Sequence, residues 1–148
     1  MSHQVQISAA VIFFIVWVID SFFIKQTLFL TDFVHLYIRL TIGSAIIVVA
    51  LILMISASNR FEEMAGNPEL LMDKGAFAYV RHPLYLAPQL LCWAIAIMTG
   101  SLAAMVACVI ALVMLDRIAT FEEKKLEEKF GQRYVEYMKR TGKWFPKV

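Results

Sequence analysis

The sequence predicts an all-α integral membrane protein: four transmembrane helices, the last two forming a C-terminal helical hairpin, followed by a cytoplasmic helical tail. Three observations carry this. Of 148 residues, 60% are hydrophobic and only 18% charged, and the mean hydropathy is +0.68, too apolar for an ordinary soluble domain. The apolar residues gather in four blocks, Ile7 to Ile24, Leu40 to Ala57, Leu84 to Met98 and Ser101 to Ala119. These approach the ~17 to 25 residues that cross a bilayer, the third being short. The basic residues are also unevenly placed: nine of the 14 Lys and Arg lie in Asp116 to Val148, and Arg60, Lys74 and Arg81 lie between the second and third blocks. The positive-inside rule then puts both termini in the cytoplasm, at the plasma membrane of a prokaryote or the endoplasmic reticulum of a eukaryote.

The expected organisation is a single membrane domain over 1–148, with the first two spans in 7–57. The first block is expected to remain as an anchor, because Met1 to Gln6 carries no Lys or Arg and no small-residue cleavage site follows Ile24. The net charge of +2 gives no argument for a nucleic-acid partner. Cys92 and Cys108 fall inside apolar blocks, where a thiol behaves as a small hydrophobe, so neither a disulfide nor a metal framework is expected.

Spans one and two are generic apart from Asp20, which near the end of a span suits the interface or packing. Lys25 to Arg39 reads as an external loop or interfacial helix, with His35 structural and opposite the chemistry. Thr99, Gly100 and Ser101 alone separate the third and fourth blocks, which requires a tight antiparallel hairpin. His82 lies 18 residues before Gly100 and Glu122 lies 22 after it. At about 1.5 Å per residue their heights differ by only ~6 Å. The hairpin is therefore expected to gather Arg81, His82, Glu122 and Glu123 at the cytoplasmic surface.

Pro83 can open the third span without losing a helical hydrogen bond. The helix N-terminus, the Arg81 fork and His82 together suit a carboxylate or phosphate. From Ile118 onward, Ile118, Leu126, Phe130 and Tyr134 recur at multiples of four as an apolar stripe that includes Glu122, while Glu123, Lys124, Glu127 and Glu128 can point away. A carboxylate on the packed side needs a partner. Gly131 reads as a C-cap, and Gly142 and Pro146 mark a short irregular end, with Trp144 and Phe145 suited to the interface.

The stretch from Gly75 to Tyr85 with its Arg81-His82-Pro83, the apolar hairpin, and then Glu122-Glu123, Leu126, Phe130-Gly131, Tyr134, Tyr137, Arg140 and Pro146 resembles the isoprenylcysteine carboxyl methyltransferase and phospholipid methyltransferase superfamily. The resemblance covers Leu71 to Pro146, giving a motif region of 71–146. It implies an S-adenosylmethionine pocket built by the last two spans and the tail. Arg81, His82, Tyr85, Glu122, Glu123, Tyr134 and Tyr137 are the implied cofactor contacts. Arg140 and Glu123 are the implied groups at the reacting acceptor, a membrane lipid or an isoprenoid amphiphile. Ala76 stands where the family often has Pro, Ala87 where Gly or Ser is usual, and Arg140-Thr141-Gly142 where Arg-Val-Pro is usual.

The sulfonium activates the methyl group, so the protein need mainly align it with a nucleophile and exclude water; no metal is required. A carboxylate acceptor needs no base, whereas an amine must be deprotonated, by Glu122, Glu123 or His82. Two alternatives stand beside this reading: an NADPH-dependent reductase, since membrane sterol reductases resemble the same hairpin and tail, and a non-catalytic membrane accessory protein.

Overall fold

The structure, a computed structural model, describes residues 2–24, 31, 34–65, 71 and 73–147. The described residues are mostly helical and contain no strand. Among the described residues these α-helices follow in order: α1 (Ser2–Val18), α2 (Leu36–Ala65), α3 (Pro83–Thr99), α4 (Leu102–Phe130) and α5 (Gln132–Arg140). A π-helical segment, Ile19–Ile24, prolongs α1, and a 3-10 turn, Gly75–Ala78, precedes α3. Residues 25–30, 32 and 33, most of the expected external loop, lie outside the described ones.

Among the described residues, three segments are long and apolar enough to cross a membrane: Gln4–Phe22, Leu36–Arg60 and Leu102–Phe130. The expected third span, α3, is shorter, at 17 residues. At about 1.5 Å per residue it reaches only ~25 Å. It packs against α1, α2 and α4. Many large side chains of α1, α2 and α4 face outward, among them Ile12, Phe14, Val48, Ile52, Val106 and Ile110, while small residues (Ala50, Ala94, Ala96, Ala104) are fully buried. That inversion is what helices packed in lipid require, since close backbone approach, and not burial of large apolar groups, brings them together. Gly43 marks a close approach, where a Cβ would overlap the Met98 side chain across the α2–α3 contact.

The expected hairpin turn is present. Gly100 takes the left-handed conformation (φ 76°) as the cap of α3, donating to Ala96 O at 2.9 Å. Ser101 starts α4, its hydroxyl accepting from Ala104 N at 3.1 Å. Two charged residues clamp the turn. Arg39 Nη1 donates to Met98 O at 3.0 Å, one of the carbonyls left unpaired at the end of α3. The Ser101 hydroxyl donates to Asp20, both being buried. Trp17 Nε1 adds a bond to Thr99 Oγ1 at 3.3 Å. Asp20 thus serves in packing, tying the end of α1 to the hairpin. Replacing it with alanine leaves the Ser101 hydroxyl without that acceptor. Asp20→Ala is expected to destabilise the protein by about 1 to 3 kcal/mol. Thermal unfolding in detergent checks this, and a melting point equal to the parent's would remove the clamp.

Pro88 explains a second tie. It lies inside α3 and has no N–H for Leu84 O, one turn back. Gln6 Nε2 of α1 fills that place, donating to Leu84 O at 3.1 Å. Gln89, buried in the same helix, donates to Cys108 O of α4 at 2.6 Å. Gln6, Tyr85, Gln89, Cys92 and Cys108 help line a cavity of about 30 Å³ where α1, α3 and α4 meet.

Candidate functional site

The site forms where the open end of the α3–α4 hairpin meets α5. Pro83 is the first residue of α3 and His82 its N-cap. The preceding 3-10 turn is anchored to α2 by Ala76 N donating to Ser56 Oγ at 2.9 Å, and Phe77 packs with Ala57. Arg81 and His82 are thereby delivered to α4 at the height where Glu122 and Glu123 emerge.

Glu123 occupies the centre. Its Oε1 accepts from Arg81 Nε at 2.8 Å and from His82 Nε2 at 3.0 Å, with side chains 10%, 7% and 13% exposed for Arg81, His82 and Glu123. Glu122 Oε1 accepts from the Tyr85 hydroxyl at 2.6 Å. The sequence pattern let Glu123 point away from the packed face; the structure turns it inward. The reason is angular. Consecutive helical residues lie about 100° apart, so an acidic pair straddles the α3 N-terminus, one carboxylate meeting Arg81 and His82 and the other reaching Tyr85. Lys124, Glu127 and Glu128 are exposed.

Arg81 also holds the tail. Its Nη1 donates to Thr141 O at 2.5 Å and Met138 O at 3.4 Å, at the C-terminal end of α5, where carbonyls lack partners and the helix dipole favours a cation. Its backbone N donates to Gly142 O at 2.9 Å, and Val80 and Gly142 form an isolated parallel bridge. The expected tail helix is broken as the sequence suggested: Gly131 (φ 56°) caps α4, donating to Glu127 O at 2.8 Å, and α5 starts afresh.

The inner face of α5 presents Tyr134 and Tyr137, 2% and 3% exposed. Tyr137 donates to Phe77 O at 2.7 Å. Burial pushes both phenols up from their ordinary range, with Glu123 adding to the rise at Tyr134. They are neutral hydrogen-bonding walls at physiological pH. The His82 and Tyr85 rings lie parallel within 4°, centroids 5.6 Å apart, and Trp144 approaches His82 at 5.7 Å. Arg140 stands apart: it is 68% exposed and faces Asp73 across 3.8 Å.

The structure therefore brings Arg81, His82, Tyr85, Glu122 and Glu123 together as two adjacent hydrogen-bonded sets, Arg81 and His82 on Glu123 and Tyr85 on Glu122, backs them with Tyr134 and Tyr137, and leaves Arg140 on the rim. Three further residues bear on it: Thr141 and Gly142 through Arg81, and Trp144 through His82. Trp144 read as an interface residue in the sequence; the signal for more was Asp116, a carboxylate inside an apolar block, to which the indole N–H donates at 2.8 Å.

The family model described as phospholipid methyltransferase matches residues 38–133. The matched stretch takes in α2 as well as the hairpin and the acidic pair, so the second span is part of the shared architecture and more than an apolar preamble. No curated protein and no solved structure gives a match.

Proposed function

The chain belongs to the phospholipid methyltransferase family, and from that premise we propose that it transfers a methyl group from S-adenosylmethionine to the headgroup amine of a membrane lipid. The family supports a lipid-directed membrane methyltransferase. The observation that carries the finer reading is the convergence of Arg81, His82 and Tyr85 on Glu122 and Glu123 across the hairpin.

These residues fit the cofactor's chemistry. The carboxylates of Glu122 and Glu123 suit ribose hydroxyls or an ammonium group, and the parallel rings of His82 and Tyr85, with Trp144 beside them, offer a flat wall for an adenine. The partly buried guanidinium of Arg81 supplies positive charge for a carboxylate. When bound, the cofactor supplies a methyl group already activated by its sulfonium.

The chain's own residues then align the acceptor, exclude water and take a proton. An amine nucleophile must be neutral to attack, so a base is needed. Glu123 is poorly suited, because its Oε1 already holds two donors. Glu122, bonded to the Tyr85 phenol, suits the task better. The same electrostatics favours an amine over a carboxylate acceptor: two acids face the site, while its central cation is committed to Glu123, to the tail and to the carboxylate of the cofactor. Arg140, permanently charged and on the rim, suits the acceptor's phosphate. Positive-inside charge supports a cytoplasmic location for this end of the hairpin and for both termini.

Calorimetry with S-adenosylhomocysteine tests the cofactor site. Loss of one hydrogen bond to a charged group costs about 1.5 to 3 kcal/mol, so His82→Ala and Glu122→Ala are expected to bind roughly tenfold more weakly or worse. Parental affinity in both folded variants, or tight binding of NADPH in place of adenosylhomocysteine, would overturn the reading. Labelled methyl transfer to an ethanolamine-headgroup lipid, against a prenylcysteine-type carboxylate, separates the acceptor classes.

A further inference from the structure

We infer that Asp116 is a positioning residue of this site, holding the C-terminal strap so that the Trp144 ring lies against His82. The inference rests on the proposed cofactor site, which Asp116 itself does not touch.

Asp116 is the sole acidic residue between Gly100 and Glu122. A carboxylate in the last turns of an apolar span is costly unless it is compensated. Here the compensation comes from the tail. Asp116 Oδ1 accepts from Lys143 Nζ at 2.6 Å and from Trp144 Nε1 at 2.8 Å. Lys143 Nζ also donates to Asp116 O at 3.0 Å and to Thr120 Oγ1, one turn on, at 2.7 Å. A single carboxylate oxygen thus grips two consecutive tail residues.

The consequence falls on the site. Trp144 packs on the cluster of Tyr85, Leu115 and Ala119, and its ring tilts 41° to that of His82. Arg81 fixes the strap at Thr141 and Gly142, and Lys147 Nζ donates to Met138 O at 2.7 Å further on. Between those anchors the indole N–H has Asp116 as its acceptor. Without it, the ring can turn about its side-chain bonds while the strap stays attached. A latch that merely stabilised the fold would change melting and leave ligand affinity unchanged; one that positions Trp144 changes affinity in the folded protein.

The experiment measures S-adenosylhomocysteine affinity by calorimetry, and melting in detergent, for the full-length parent, Asp116→Asn, Asp116→Ala, Trp144→Ala and the double Ala variant. Asparagine keeps an oxygen for the indole N–H and loses the ion pair with Lys143. Asp116→Asn is expected to stay within about threefold of parental affinity, and Asp116→Ala and Trp144→Ala each to weaken it roughly tenfold. Because both act through one ring, the double variant is expected to be no weaker than either single one. Parental affinity in folded Asp116→Ala, or additive losses in the double variant, would overturn the inference. Should Asp116→Ala fail to fold, Trp144→Phe, which keeps an aromatic ring and removes the N–H that Asp116 holds, carries the same tenfold expectation and the same power to overturn. A parent that binds no adenosylhomocysteine would instead remove the cofactor reading and this inference with it, an outcome distinct from a parent that binds while its Asp116 variants bind equally well.

Discussion

Glu123→Ala is expected to abolish measurable S-adenosylhomocysteine binding and to lower stability by about 3 kcal/mol, the low end for breaking one partner out of a buried ion pair. The size follows from what the carboxylate holds. Arg81 Nε and His82 Nε2 both donate to Oε1, and the three side chains are at most 13% exposed. Removing it leaves the Arg81 guanidinium poorly compensated in a nearly dry setting. The loss spreads, because the same guanidinium fixes the end of α5 through Thr141 O and Met138 O. Glu123→Gln keeps an oxygen for Arg81 and gives up the charge, so it is expected to fold better than the Ala variant while still binding ligand more weakly than the parent. Thermal unfolding and calorimetry on the three proteins decide the matter. An Ala variant that melts and binds like the parent would show that the Arg81–His82–Glu123 group neither holds the tail nor shapes the site.

Much of that group was legible in the chain because it depends on counting. The three-residue turn at Gly100 and the rise per residue of a helix fix the height at which two distant segments meet, and Pro83 fixes where α3 starts. The all-helical membrane architecture, the kink at Gly131 and the pairing of Arg81 and His82 with the acidic pair follow from such local rules. What counting cannot supply is rotation. Whether Glu122 or Glu123 faces inward depends on how α4 is turned against α3 and α5, and the apolar stripe on α4 selected Glu122 alone, whereas both carboxylates find partners. The ties made by isolated polar side chains were equally hidden: Gln6 answering the carbonyl that Pro88 leaves unpaired, Arg39 capping Met98, and Asp116 gripping Trp144. Each joins residues far apart in sequence, with no period or spacing to announce the pair. A signal did exist at every one of them, namely a polar residue or a proline inside an apolar helix, where an unpaired polar group is too costly to leave alone.

The path of the strap is the least local feature of all, and Gly142 is where it can be tested. Gly142 stands where the resemblance read from the tail leads one to expect proline, and its surroundings account for a glycine there. Its carbonyl accepts from Arg81 N at 2.9 Å, it is buried, and the chain folds back so that a Cβ on it would overlap the Phe145 carbonyl oxygen. The demand for glycine is spatial, since the obstructing atom belongs to the backbone and no side chain can swing aside. Alanine and proline carry the same Cβ and meet the same obstacle. Gly142→Ala is therefore expected to push the strap off Arg81, destabilising the protein by about 1 to 3 kcal/mol, as overpacking does elsewhere. Displacing the strap also removes Trp144 from His82, so ligand affinity is expected to fall at least about tenfold, the loss assigned to a single contact of that kind. Gly142→Pro tests the same point against the family's own residue and is expected to be at least as damaging. Melting and adenosylhomocysteine affinity measured together read both consequences. A Gly142→Pro variant with parental stability and affinity would mean that the strap can take the family's usual path, and that its close turn against Phe145 is not what holds Trp144 at the site.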